Sequence, residues 1–381
     1  MEEAKRVLCH AVETAALPFA VAMVGGSKGI NFSASIGEAA DGQPAAEDTL
    51  FRIFSMTKAI GSLAALILID RGTLTPETPV ADLLPDWADL PVLDGWNGDE
   101  PILRPQRGVA TLRHLVTHTS GIEYEFWNAD VAKYLASQTR PPALSGQLEG
   151  LRYPLTSDPG TRWGYGLSID WLGRMVEAAD GRRIDRFCRE EIFEPLGMTD
   201  TVFEPEGREH RLADVKMRTE DGTFRPTRLS PPAQPEAYGM GHALYSTAPD
   251  YMRFLRMVLN GGELDGTRIL SPEAMALMMQ DQMQGLAFQK MITAAPSVSA
   301  DVDLFPGNRV THSMAFLRNE ADIPGRRSAG SLGWAGVCNT HYWIDPARDL
   351  CAVLMTQSLP FLDPAMAATY EAFERAVYAG H

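Results

Sequence analysis

The segment that most constrains this 381-residue chain is the apolar run after Ser55-Met56-Thr57-Lys58: Ala59, Ile60, Leu63, Ala64, Leu66, Ile67 and Ile69, closed by Gly72. A helix predicted over 55–71 has too much apolar surface to lie against water, so the rest of the fold must enclose it, with the glycine as its stop. Ser55 then stands at the helix start and Lys58 one turn on. Positions three apart on a helix are neighbours, with roughly 5–6 Å between their Cβ atoms. An amine is thus set beside a hydroxyl against an apolar wall. A serine needs such a neighbour to become a nucleophile, and desolvation favours the uncharged amine that can take its proton.

A Ser-x-x-Lys tetrapeptide alone is also what a capping serine followed by a solvated lysine looks like. Two further features give it company. Tyr165 lies in Arg162-Trp163-Gly164-Tyr165-Gly166-Leu167-Ser168, between glycines and just before an apolar helix. On such a loop a phenol can reach a cleft and relay protons, or simply pack at a helix entrance. Gly333-Trp334-Ala335-Gly336-Val337 reads as a strand of small residues around one tryptophan. Small side chains there let a substrate lie along the strand edge and leave a backbone N–H facing a developing oxyanion; the plainer reading is a buried strand. A histidine base has less support, and His114 and His118, on a predicted short helix over 112–118, are read as structural.

The wider pattern is helix, hairpin, many helices, strands, helix. Residues 3–16 have helical spacing. Segments 19–24 and 30–36 read as strands joined by a glycine-rich turn at 25–29. Residues 76–91 are rich in proline and turns, 95–108 are polar and irregular, and a domain crossover falls here. Helices follow near 168–179, 184–193 and 249–259. Residues 333–344 and 350–357 read as strands around Asp345-Pro346, and a helix over 364–378 ends the chain. Because early and late strands flank a helical insert, one antiparallel sheet can be built from both chain ends. The expected division is an α+β domain of residues 1–85 and 265–381, with a mostly helical domain over 86–264.

Composition narrows the partners. With 45% hydrophobic and 22% charged residues the chain is an ordinary globular one, and its formal net charge of −15 argues against nucleic acid and anionic membrane. No cofactor is implied. Cys9, Cys188, Cys338 and Cys351 form no Cys-x-x-Cys pair or zinc spacing, so they are read as reduced, mostly buried thiols. The charged start (Glu2, Glu3, Lys5, Arg6) has no long apolar segment behind it. No signal peptide or transmembrane span is expected, and the cytoplasm is the expected compartment.

Taken in order, Ser55-Met56-Thr57-Lys58, Leu115-Val116-Thr117-His118-Thr119-Ser120-Gly121, Pro159-Gly160-Thr161-Arg162-Trp163-Gly164-Tyr165 and Pro195-Leu196-Gly197-Met198 resemble the motifs of serine β-lactamase-like proteins. The resemblance spans residues 15–378. It is strongest to the family VIII carboxylesterases, relatives of class C β-lactamases and DD-peptidases. It implies the β-lactamase/transpeptidase-like fold, an antiparallel sheet flanked by helices plus a mostly helical second domain, with the site between them. It also implies Ser55 as the acylated nucleophile, Lys58 and Tyr165 as base and proton relay, and the backbone N–H groups of Ser55 and Val337 as oxyanion hole. Trp334, Ala335, Gly336 and Leu167 would line the substrate.

Two positions depart from a β-lactamase. Leu167 replaces the asparagine that ends the tyrosine motif there. Trp334-Ala335-Gly336 replaces Lys-Thr-Gly, removing the cation that pairs with a lactam carboxylate. A missing charge-assisted hydrogen bond typically costs about 1.5–3 kcal/mol, roughly 10- to 150-fold in an equilibrium constant. The expected reaction is therefore hydrolysis of uncharged esters, and the resemblance to family VIII esterases implies short acyl chains. A β-lactamase or D-amino-acid peptidase, an acyltransferase using the same Ser55 intermediate, and a silent scaffold remain as alternatives. Gly25-Gly26-Ser27-Lys28-Gly29 matches a Gly-x-Ser-x-Gly elbow, but the strand-like 30–36 after it places Ser27 in a hairpin turn. The methionines at 275, 278, 279, 283 and 291 read as core, with an adaptable acyl pocket as the other possibility.

Overall fold

A computed structural model describes residues 1–381. An eight-stranded antiparallel sheet is assembled from both ends of the chain. The early strands are β1 (Phe19–Gly26), β2 (Gly29–Ala40) and β3 (Gln43–Pro44). The late strands are β4 (Val310–His312), β5 (Leu317–Asn319), β6 (Leu332–Gly336), β7 (Thr340–Asp345) and β8 (Leu350–Met355). Their order across the sheet is β4-β5-β6-β7-β8-β1-β2-β3. The helices that matter most are α1 (Glu2–Glu13), α2 (Thr57–Asp70), α3 (Ser168–Asp180), α4 (Ala248–Leu259) and α5 (Pro364–Ala379).

β1 is central, and its run from Phe19 to Val24 is buried throughout. A strand covered on both faces must be apolar on both. Ala20, Ala22 and Val24 join Ala352, Leu354 and Trp343 beneath α1 and α5, where Leu8 and Phe373 meet them. The alternate residues Val21, Met23, Val353 and Met355 belong to the main core, which also holds α2 and α4. α4 therefore packs on β1 and β8, although it lies at the end of the 86–264 segment.

α2 is enclosed as expected: every residue from Thr57 to Leu68 is buried. Each large aliphatic side chain so buried contributes about 1.5–3 kcal/mol relative to exposure. Gly61 permits close packing, because a Cβ there would stand 2.9 Å from the Met240 side chain and 3.1 Å from Ile169 of α3. The helix stops at Arg71 and Gly72, whose φ of 72° suits glycine.

Three expectations change in detail. Ser55 is not in the α-helix but in a 3-10 turn, Phe54–Met56, that leads into it. The irregular stretch over 95–108 contains much of a hairpin, Val92–Asn97 paired with Glu100–Arg104. The single strand over 333–344 is two, β6 and β7, reversed at Val337-Cys338-Asn339 with Asn339 at φ 63°. No helix is long and apolar enough to cross a membrane. The four cysteines are unpaired, Cys9 half-buried and the other three buried.

Candidate active site

The turn carrying Ser55 is strained and tied down. Phe54 has φ 39°, a region costly for a residue with a Cβ. Around it, the Tyr251 hydroxyl donates to the Met56 carbonyl at 2.9 Å, and the Leu244 N–H to Thr57 Oγ1 at 3.2 Å. The Ile53 N–H in turn donates to the Leu244 carbonyl at 3.1 Å. Ser55 is half-buried and opens onto a cavity of about 310 Å³.

Lys58 is 4% exposed, and its Nζ has three polar neighbours. It donates to the Gly241 carbonyl at 2.8 Å and the Tyr124 hydroxyl at 3.1 Å, and lies 3.1 Å from Ser55 Oγ. The carbonyl can only accept, whereas each hydroxyl can do either. The same three positions therefore satisfy an ammonium donating three ways. They equally satisfy a neutral amine that donates twice and accepts from the Ser55 hydroxyl. A proton can pass from Oγ to Nζ without moving a partner.

Tyr165 is in the site, but its hydroxyl is not the one bonded to Lys58. Lys58 Nζ lies 4.8 Å from the Tyr165 ring centre, and the Tyr165 hydroxyl accepts from Trp334 Nε1 at 3.1 Å. The glycines beside Tyr165 serve close approach. A Cβ on Gly166 would stand 2.1 Å from the Ile122 carbonyl, and one on Gly164 2.5 Å from the Glu123 carboxylate. The crossing segment brings in Tyr124, whose N–H donates to the Tyr165 carbonyl at 3.1 Å. Burial, and then the charge of Asp170, hold the Tyr124 phenol well above its ordinary pKa, so it stays protonated.

Behind this group stands Asp170, in the first turn of α3 and 1% exposed. Its Oδ1 accepts from the Gly241 N–H at 3.0 Å and lies 3.4 Å from His242 Nδ1, while Oδ2 is buried without a partner. Burial pushes its carboxyl up, but the neighbouring His242 imidazole, Lys58 and the Gly241 N–H outweigh that and hold it below the usual range. Gly241 thus links carboxylate and amine, its N–H on one and its carbonyl on the other. Tyr124, Asp170, Gly241 and His242 were all missed in the sequence; they come from separate segments with no shared spacing.

Of the β6 residues, Gly333, Trp334 and Ala335 line the cavity, as does Val337 in the turn that follows. The Val337 N–H donates to no protein acceptor and is free to meet an oxyanion. Gly336 does not line the cavity: a Cβ there would be 2.3 Å from the Ile53 carbonyl, so the glycine lets β6 touch the Ser55 turn. Leu167 is likewise not a lining residue. It is fully buried in the core, because the chain turns inward there to start α3. Among the methionines only Met291 reaches the cavity. Ser27 lies in the β1–β2 turn and donates to Asp349 at 2.8 Å.

His118 stands outside the short helix Leu112–Val116, at φ 55°. Its ring lies 4.9 Å from that of Tyr165 and 5.4 Å from that of His312. Burial, then the nearby His312 and Lys58, push His118 well below its ordinary value, and burial lowers His312 to about 4. Both rings are neutral near pH 7. No group of three His, Cys, Asp or Glu side chains is placed to hold a metal ion.

A shielded serine–lysine pair facing the edge of an antiparallel sheet built from both chain ends is the β-lactamase/transpeptidase-like arrangement. The chain belongs to the beta-lactamase family, whose model matches residues 4–376. It is 31% identical to monacolin J acid methylbutanoyltransferase of Aspergillus terreus, over 88% of this chain and 83% of that one. It is also 31% identical to lovastatin esterase of Penicillium rubens, over 88% and 86% respectively. Simvastatin synthase from Aspergillus terreus superposes with a TM-score of 0.85 at 29% identity, covering 99% of this chain and 98% of that one. The protein is accordingly a serine hydrolase or acyltransferase of this fold.

Proposed function

We propose that the protein is a serine carboxylesterase that hydrolyses short-chain carboxylic esters through an acyl-enzyme on Ser55. The observation that carries this reading is Lys58 Nζ within 3.1 Å of Ser55 Oγ and buried from water. Lys58 takes the Ser55 proton as Oγ attacks the ester carbon. The carbonyl oxygen becomes an oxyanion facing the Ser55 and Val337 N–H groups. The alcohol leaves with a proton returned through Lys58 and Tyr124, and water then releases the acid by the same steps reversed. Tyr124, protonated and bonded to Lys58, fits a relay better than a base. Tyr165, held by Trp334, shapes the wall against which the ester lies.

The test compares wild type with Ser55→Ala on a series of short-chain aryl esters, with circular dichroism as the check on folding. The folded variant is expected to lose at least about a thousandfold in kcat, the scale of removing a nucleophile with its acid–base partner. Full activity in a folded Ser55→Ala protein overturns the proposal.

Acyl transfer to an alcohol is the second reading, favoured by the relative whose name is methylbutanoyltransferase and by the largely apolar cavity. An added alcohol that diverts product from free acid to new ester supports transfer; unchanged acid yield supports hydrolysis. Lactam hydrolysis is expected to be weak, because β6 carries Trp334 where a lactam carboxylate needs a cation.

A further inference from the structure

The cavity does not end at Ser55. It passes the edge of β6 and runs along the face of the sheet that carries α5, with Ala335 and His341 side by side in the β6–β7 ladder. At its far end stand Arg326 and Arg327, from the loop before β6. Both guanidinium groups share one buried carboxylate: Arg327 Nε donates to Glu374 at 2.8 Å and Arg326 Nη2 at 2.6 Å. Arg327 also donates from Nη2 to the Tyr370 hydroxyl. Two cations thus face one anion. Asp303 and Glu371 also border the cavity, but both are exposed, and Glu371 is paired with Arg375.

Guanidinium nitrogens on both arginines are left without a protein acceptor. Arg326 Nε is buried without a partner. Arg327 Nη1 donates to nothing, although the arginine is 6% exposed. That nitrogen lies where a side chain on Gly333 would point, 2.9 Å from the Cβ such a residue would have. Gly333 lines the cavity, so the absence of a side chain there opens the arginine to it. The two charges sit close to the Phe305 ring, 5.1 and 5.2 Å from its centre, and Phe305 also lines the cavity.

We propose that Arg326 and Arg327 form an anion subsite that binds a carboxylate carried by the ester substrate, remote from its reacting carbonyl. This rests on the esterase reading and names the substrate class. β6 supplies the ruler: Gly336 touches the turn of Ser55 and Gly333 the guanidinium, and three residues of strand span about 10 Å. An extended chain advances about 1.2 Å per bond, so roughly eight bonds separate carbonyl and carboxylate. The cation missing from position 334 is replaced further along, so a carboxylate near the carbonyl is disfavoured and one at this distance is held.

The carboxylate can sit in the acyl half or in the alcohol half, and two arms distinguish them. One arm compares the p-nitrophenyl half-ester of octanedioic acid with its methyl-capped diester. The other compares the butyrate ester of 8-hydroxyoctanoic acid with the methyl ester of the same compound. A charge-assisted bidentate contact predicts KM at least about tenfold lower for the carboxylate in one arm, fading with salt. Arg327→Lys keeps a charge on Glu374 but has no free fork nitrogen, and it should collapse that discrimination. Arg326→Gln leaves Glu374 paired with Arg327 and should lower it, so the test survives poor folding of the first variant. Equal KM within both arms overturns the proposal, as does discrimination unchanged in both variants. Calorimetry of free octanedioate on the Ser55→Ala protein separates the two readings. Binding there without ester hydrolysis by wild type sinks only the esterase proposal, whereas hydrolysis of neutral esters with no binding in either arm sinks only the subsite.

Discussion

Lys58 Nζ is as close to the Tyr124 hydroxyl as to the Ser55 hydroxyl, 3.1 Å in each case. The amine therefore has a phenol on one side and the serine proposed as nucleophile on the other, with the Gly241 carbonyl fixing its third direction. This makes two tyrosines, not one, relevant to the chemistry, and their roles can be separated.

Tyr124→Phe removes a hydrogen-bond partner of Lys58 while keeping the ring that stacks on Phe126 at 4.9 Å. Its kcat on a short-chain ester is expected to fall about 10²-fold, within the range for loss of an acid–base group, with little change in melting temperature. Tyr165→Phe loses only the bond from Trp334 and should cost less in kcat and more in KM. The reverse ranking of kcat losses contradicts the geometry.

Asp170→Asn keeps an oxygen for the Gly241 N–H but removes the charge. If Asp170 positions Lys58 through Gly241, kcat should drop about tenfold or more, the order of one charge-assisted hydrogen bond, and the acid limb of the pH–rate profile should move. A variant that is merely less stable, with unchanged kcat and pH profile, shows the carboxylate to be a packing element only.

Buried histidines give stability a pH dependence of known sign. His312 is lowered to about 4 and His118 well below its usual value, so the fold holds their neutral forms. A folded pKa below the unfolded one means stability present above about pH 6.5 and lost as pH falls toward 4. For His312 alone the difference is roughly 3 kcal/mol. Urea unfolding at pH 7 and pH 4.5 measures it, and His312→Asn should flatten the slope. Stability that rises on acidification contradicts this account.

Ser27→Ala should leave esterase activity within twofold of wild type and cost about 1 kcal/mol at most, since it breaks one exposed bond to Asp349. Loss of activity would move the nucleophile to the hairpin.

What could be read from the sequence follows how local each feature is. Ser55 and Lys58 were legible because three residues of chain bring them together. β1 and β2 were legible because a glycine-rich turn joins an unbroken apolar run to an alternating one. Tyr124 and Asp170 were not, because only the crossing of residues 122–124 over Tyr165 and the docking of α3 on α2 place them near Lys58. Leu167 was misplaced because motif position says nothing about where a side chain points at a helix entrance. The Val92–Arg104 hairpin was missed since Pro101, Gly95 and Gly98 read as breakers, and most of its residues are not buried. The β6–β7 turn was missed because it is made by Asn339 in a left-handed conformation, with no Asn-Gly or Asp-Gly pair to signal it.

Peptide mapping after treatment with an alkyl fluorophosphonate tests the central claim most directly, because the reagent reports both which serine attacks and whether it is activated. The account predicts one adduct, on the peptide carrying Ser55, that is abolished by Lys58→Ala in a folded protein. An adduct on another serine, or none on the folded wild-type chain, contradicts it.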